Sequence, residues 1–471
     1  MLVVISDLHF EEEQSSFIPA GPAELNTPRN LSCEPFQVLM SELARIVRDY
    51  KTERIDLVLA GDVFDLNRTE LWFEEPELRP YVSTGDVKSG SPLEARLLHI
   101  LDKIVAEPNV AGSLKVFEFF TQGKYWVQDK RTKEVDVLDL GAKEVALHYF
   151  PGNHDRMANA TPALRRRVRQ LLGLAPDDTP FERRVLLDDP AVLIRHGHEY
   201  DRYNFGADYR NAPSLGLAFP ESDYEASPIG DPITIDIASR LPYLFRQVHG
   251  AAKIATDPLL QTVYARILEI DDLRPQSALP NFLLSIPGAD IKEVWKVLLP
   301  MAQRLLDEVA ENKFLRDHLD VVDARWRWLV KSFLSTKPWR FLSAGMSPKW
   351  ALWLGKLPRT AGGEDRPEQF AAREMVVQNG KVHCVLAGHT HSPNVTLVCS
   401  RDRCEQYFID TGTWRNAVPA SPEQDTFGRV KALTYVLVYG REGGPATAMP
   451  SLQQPWSFSY WSGFTQQWPT A

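Results

Sequence analysis

Short apolar runs that break off into polar residues punctuate this chain. Leu2–Ile5 runs into Asp7 and His9, Ile55–Ala60 into Gly61 and Asp62, and Val145–Phe150 into Gly152, Asn153, His154 and Asp155. Ala191–Ile194 leads to His196, and Val382–Ala387 to Gly388 and His389. Such β-branched runs, flanking helical stretches like Pro35–Tyr50 and Pro92–Ala106, predict strands buried in an α/β framework. In that kind of framework functional loops gather at the carboxyl ends of the strands, and all five polar clusters fall there.

The texture changes after His196. A Pro-, Gly- and Asp-rich stretch near Asn211–Asp231 precedes helical patterns at Ile233–Val248, Ile291–Asn312 and Asp323–Leu334. The pattern therefore predicts a core in two parts, 1–205 and 381–449, interrupted by a helical insertion or cap over 206–380. Pro300 is expected to kink or divide the middle helix. Trp295, Trp326, Trp328, Trp339, Trp350 and Trp353 read first as packing, with a cap over a site as the sharper reading. Leu66–Glu144, with its polar stretch Gln128–Glu134, is a second, smaller elaboration. The tail, 450–471, carries Trp456, Phe458, Tyr460, Trp461, Phe464 and Trp468 and is expected to dock on the body.

Composition narrows the class without naming a chemistry. At 471 residues, 44% hydrophobic and 24% charged, the chain has ample material for a core plus an accessory unit. A formal charge of -9 argues against broad binding to nucleic acid or anionic membrane, while leaving room for a phosphate-sized pocket. Cys33, Cys384, Cys399 and Cys404 are too scattered for a disulfide framework; Cys399 and Cys404 could face each other across a turn, but ordinary thiols are the simpler reading. The first residues look like a strand rather than a leader, and no apolar run approaches the roughly 20 residues that cross a bilayer. The expectation is a cytoplasmic protein.

The polar clusters then carry the chemistry. Asp7 and His9 stand two apart, so on an extended chain both point to one face, and His389 and His391 repeat the spacing. With Gly388 before it, the second pair gains close backbone approach or an unusual dihedral. Imidazole, carboxylate and the Asn153 amide oxygen together suit zinc, manganese or iron better than calcium. A lone His or Asp is more often a satisfied polar residue than a ligand, but five motifs at strand ends are another matter.

In this order the motifs resemble the calcineurin-like metallophosphoesterase superfamily, over residues 1–205 and 381–415. The resemblance implies a four-layer α/β/β/α sandwich core with the helical insertion added. It also implies two divalent metal ions, one held by Asp7, His9, Asp62 and His391, the other by Asp62, Asn153, His196 and His389, with Asp62 bridging. Manganese is the first expectation, iron or zinc the others. Such a pair lowers the pKa of a shared water, leaving hydroxide to attack phosphorus. His154 matches the family's catalytic histidine, with Asp155 expected to orient it. Arg156 is close enough in sequence to reach a substrate phosphate. His198 is either a substrate contact or a polar residue satisfied by its surroundings, and Asp65 either stabilises its loop or orients His9.

The implied activity is hydrolysis of a phosphomonoester, phosphodiester or pyrophosphate, on a phosphorylated small molecule or nucleotide-linked substrate. Gly61–Asp65 and Asp410–Trp414 look most like the branch of UDP-2,3-diacylglucosamine pyrophosphatases, from which the chain departs in length and in having His154 where that branch carries Arg. A metal-dependent nuclease is the nearest rival, with nucleic acid the less expected partner given the acidic charge. A metal-stabilised interaction scaffold is the reading from another class, disfavoured because no ligand is missing.

Overall fold

Both faces of the strands at Leu2–Ile5, Ile55–Ala60 and Cys384–Ala387 are buried, which explains why their sequences carry no polar alternation. The computed structural model describes residues 1–18, 29–75, 77–128, 134–275, 278–319, 327, 331–332, 334–341, 366–401, 404–440, 444–445 and 456–465. Strands β1 (Leu2–Ile5), β2 (Arg54–Ala60), β5 (Glu144–Phe150), β8 (Leu273–Arg274), β12 (Asn416–Pro419), β13 (Val430–Tyr439) and β14 (Ser457–Thr465) make a mixed seven-stranded sheet. Its order is β5-β2-β1-β13-β12-β8, with β14 on the far side of β13. A second, five-stranded sheet runs in the order β10-β11-β9-β7-β6, from β6 (Val185–Asp188), β7 (Ala191–Ile194), β9 (Cys384–Ala387), β10 (Asn394–Arg401) and β11 (Cys404–Asp410). The hairpin of β3 (Lys124–Gln128) and β4 (Val135–Asp139) stands apart.

Successive residues of one strand belong to different cores, as the two-residue period of a strand requires. Leu2, Val4, Val58, Ala60 and Phe150 of the first sheet share one buried cluster with Val192, Ile194, Leu386 and Ile409 of the second. Val3, Ile5, Leu57 and Leu59 turn the other way, toward helices α1 (Glu34–Tyr50), α2 (Pro92–Ala106), α3 (Pro108–Thr121) and α4 (Pro162–Leu171). Three of these helices start with proline in the first turn behind an oxygen that accepts a free backbone N–H: Ser91 from Glu94, Glu107 from Val110 and Thr161 from Leu164. The expected strands and the first two expected helices thus occur where the pattern places them.

The segment 206–380 contributes to two different cores. Phe205, Leu215, Phe219 and Tyr224, with Phe370, Val376 and Val377, cover the outer face of the second sheet through Leu193, Val385 and Phe408. Apolar periodicity alone does not say which sheet a segment covers. The helices Arg240–His249, Pro258–Leu268 and Ile291–Glu311 instead build a core of their own around Leu244, Phe245, Leu260, Tyr264, Trp295 and Leu298. Pro300 sits inside Ile291–Glu311 without dividing it. Trp295 and Trp339 are buried. Most of Asp323–Leu334, together with Trp326, Trp328, Trp350, Trp353 and Trp468, lies outside the described residues.

Three attachments tie the periphery to the core. The insertion contributes β8, whose Leu273 and Arg274 pair in parallel with Val418 and Pro419 of β12. The tail docks as β14, pairing along β13 from Lys431↔Thr465 to Tyr439↔Ser457. Trp456 stacks on His383 at 5.0 Å between ring centroids. Cys399 pairs with Gln406 and Cys404 with Arg401, so the two cysteines are not cross-strand partners. No helix among the described residues is long and apolar enough to cross a membrane.

At the end of β7, fully buried Arg195 donates to Glu374 at 2.8 Å and to the carbonyls of Gly216 and Leu217. Replacing Arg195 with Met strands the Glu374 carboxylate in the interior, so urea unfolding should show a loss of about 3–5 kcal/mol. A loss near zero would refute that role for the pair.

Candidate metal centre

Parallel pairing brings three loops to one rim. Strands β5, β2 and β1 lie side by side with Phe150 level with Ala60 and Leu59 level with Ile5. In the second sheet Ile194 of β7 is level with Leu386 of β9. The first two loops continue to pair beyond their strands, Asp7 N–H donating to Gly61 O at 3.1 Å and His9 N–H to Asp62 O at 2.9 Å. The second sheet closes the ring, since His389 N–H donates to both oxygens of Asp7, at 3.2 and 3.0 Å.

The chain is not extended at these residues. Asp7, His9, Asp62, His389 and His391 have φ of 54°, 43°, 51°, 72° and 57°, five of the eight non-glycine residues with positive φ among those described. The Asp7/His9 and His389/His391 pairs therefore converge through left-handed turns, not through strand alternation. Each such residue costs about 1 kcal/mol or more, a strain that persists where the surroundings over-determine it. Gly152 and Gly388 are required by close approach: a side chain on Gly152 would collide with Asp62 and His196, and one on Gly388 with Asp7 and Ser6.

Two groups of side chains result. In one, His391 Nε2 lies 3.2 Å from Asp7 Oδ1 and 3.0 Å from His9 Nε2, while His9 Nε2 is 3.7 Å from both Asp7 Oδ1 and Asp62 Oδ2. In the other, His196 Nε2 lies 3.1 Å from Asp62 Oδ2 and 3.2 Å from Asn153 Oδ1, with His389 close enough to share a cation with Asp62 and His196. Asp62 Oδ2 belongs to both, and its Oδ1 accepts the His154 N–H at 2.8 Å. All seven expected ligands come together.

Their outer contacts set the ring tautomers. His196 Nδ1 donates to Ala60 O at 2.8 Å, His9 Nδ1 to Asp65 Oδ2 at 2.9 Å, and His389 Nε2 to Asp201 Oδ2 at 3.0 Å. In its neutral form each ring then carries its lone pair on the other nitrogen, the form a metal ligand needs. Asp201 escaped the sequence reading because nothing in the HGHEYD stretch marks that residue out.

Two expectations change. Asp65, not Asp155, orients His154, accepting from its Nδ1 at 2.8 Å on Oδ1 while Oδ2 serves His9. Asp155 instead ties the loops together, accepting the N–H groups of Gly152 and Val63 at 2.6 and 2.9 Å and the Tyr149 hydroxyl at 2.9 Å. Arg156 is buried and fully engaged by other groups. Its guanidinium pairs with Asp231 at 2.6 Å and donates to the carbonyls of Pro80, Val82 and Glu225. The cause is common to both: neighbours in sequence at a tight turn point in different directions. His198 is buried among His196, His389, Phe205 and Tyr224. Burial pushes its ring down to about 3, against the pull of Glu199, so it stays neutral.

The remaining electrostatics are those of a cluster balanced by protons. Burial would raise the Asp7 carboxyl, but hydrogen bonds from His391 and His9 and the charge of His196 hold it well below the usual range. Burial opposes charge on His196 and His154 too, yet Asp62 lifts the first and Asp65 and Asp62 the second, each to about 10. Protons on the imidazoles thus offset the carboxylates where cations would otherwise sit.

The chain matches no protein-family model and no curated protein.

The donor set fits two divalent ions: mixed N and O atoms in two adjacent groups, with the Asp62 carboxylate between them, 3.7 Å from His9 and 3.1 Å from His196. Uptake must displace the His196 proton. Below its folded pKa of about 10 the imidazole is protonated and competes; apparent manganese affinity should therefore rise with pH by about tenfold per unit for each proton released. Titration calorimetry in buffers of different ionisation enthalpy measures that proton; a pH-independent affinity counts against His196 as a ligand. Gly388→Ala should abolish stoichiometric uptake, read by elemental analysis.

Proposed function

We propose that this protein is a dinuclear metal-dependent phosphoesterase of the calcineurin-like type, hydrolysing a phosphomonoester, phosphodiester or pyrophosphate. The observation that carries the reading is the cluster of five strained, left-handed candidate ligands, Asp62 among them, whose carboxylate lies between His9 and His196. Two sheets with a common buried cluster, and helical layers on their outer faces, support the α/β/β/α sandwich that belongs to this reading.

Divalent ions bound there supply an acidified water and neutralise charge developing on phosphoryl oxygens. The chain's own residues do the rest. Asp7, His9, Asp62 and His391 would hold one ion, and Asp62, Asn153, His196 and His389 the other. His154 stands at the solvent-facing edge with 19% of its side chain exposed. With Nδ1–H held by Asp65, its Nε2 is the nitrogen that delivers a proton to the leaving oxygen or donates to the phosphoryl group. Burial of His9, Asp62 and His196 keeps bulk water off the ligand atoms, so a phosphoester approaches along His154, His389 and His391.

The test is turnover of phosphomonoesters, a model phosphodiester, nucleotide-sugar pyrophosphates and nucleic acid by manganese-loaded protein. His154→Ala is expected to lower kcat on the preferred substrate by about 100-fold or more while manganese content stays constant. Chelation should remove activity, and manganese restore it. A folded, manganese-loaded protein that turns over none of these would return the chain to the scaffold reading, and activity that survives Asn153→Ala would rule out this centre as its source. Salt-sensitive cleavage of nucleic acid alone would select the nuclease.

A further inference from the structure

One cation stands at this centre that neither ligand set includes. Arg274 arrives from the insertion on β8, and its Nη2 donates to Nδ1 of His391 at 2.7 Å. Its Nη1 reaches only the nearby carbonyls of Asp271 and Leu273, at 2.6 and 2.9 Å. Among the described residues no carboxylate lies within ion-pair distance of this guanidinium, in contrast to its neighbours. Arg68 and Arg415 both pair with Glu11 at 3.1 Å, Arg68 with Asp271 at 2.7 Å and Arg415 with Asp272 at 2.7 Å. That buried network and the bond from Ala420 N–H to Arg274 O at 2.9 Å hold the Arg274 backbone in place. The charged end is held only by His391 and those two carbonyls, and the residue is half-buried beside His391.

The contact with His391 also conflicts with ligation. A guanidinium only donates, so Nδ1 must accept and the imidazole proton must sit on Nε2, the atom facing Asp7 and His9. Before His391 can offer Nε2 to a cation, its proton must move to Nδ1 and Arg274 must let go. A planar, bidentate cation released beside a cationic centre is stabilised there only by an anion that both can share. We propose that Arg274 is the substrate-anchoring residue of the insertion, capping His391 in the metal-free protein and, once displaced, binding a phosphoryl oxygen of the substrate. The inference rests on the phosphoesterase reading and deepens it, since it makes the insertion a supplier of one phosphate contact and not merely a wall.

The experiment titrates inorganic phosphate into full-length, manganese-loaded wild type, Arg274→Gln and Arg274→Lys by calorimetry, with manganese affinity measured alongside. Arg274→Gln should bind phosphate about tenfold or more weakly, the scale of a lost charged hydrogen bond, while binding manganese at least as tightly. Arg274→Lys, which keeps the charge but not the fork, should fall between and serves where Gln fails to fold. Phosphate binding equal to wild type in a manganese-loaded variant overturns the proposal alone, and loss of manganese together with phosphate in both variants marks Arg274 as structural and overturns it too. Wild type that takes up no manganese overturns the underlying reading and the proposal with it.

Discussion

Three carboxylates, Asp7, Asp62 and Asp65, are buried to 1% exposure or less at the ends of two adjacent parallel strands, and everything around them answers that cost. An isolated buried carboxylate is untenable, so each needs donors or cations within a few Å. The first sheet supplies too few. Closing the second sheet against the first brings His196, His389 and His391 over the carboxylates, and the shared apolar cluster between the sheets holds them there. Core packing and site chemistry are therefore one constraint: residues that alternate along β1 and β2 fill the cores, and the loops at their ends spend that stability on left-handed, charge-dense geometry.

The insertion obeys a second electrostatic rule. It has an apolar core of its own, and ion pairs as well as apolar contacts tie it to the rest of the molecule: Arg156 with Asp231, Arg68 with Asp271, and Arg415 with Asp272. Asp231 also accepts from Asn67 and Ser227, so one carboxylate fastens the loop after β2, the turn after β5 and the start of the insertion. Ion pairs of this kind demand good geometry, and breaking one leaves an uncompensated charge, so they specify one docking position more sharply than apolar contact does. That is how β8 comes to rest against β12 with Arg274 on His391.

Local pattern made much of this legible. The five apolar runs are strands because β-branched residues suit a surface buried on both faces, and the polar residues after them lie at one rim because parallel strands end together. The ligands could be named from their types and spacing. Their route to convergence could not: on an extended chain Asp7 and His9 would share a face, whereas the real residues bend into the left-handed region, a state set by bonds to Gly61 and Asp62. The layer over the second sheet was hidden in the same way, since Phe205–Tyr224 and Phe370–Val377 are distant in sequence and only the sheet unites them.

What the sequence by itself determined is the five strands that lead into the site, the first helices that flank them and the seven candidate residues that include Asp62, because periodicity and residue chemistry act over a few positions. Tertiary structure alone decided the partners. It assigned His154 to Asp65 and not to its neighbour Asp155, turned Arg156 from the site to Asp231, gave His389 its Asp201, and carried Arg274 across 117 positions to His391. The physical reason is that a hydrogen bond or ion pair is chosen by direction and distance in space, and a tight turn sends consecutive side chains apart while the meeting of two sheets brings remote ones together.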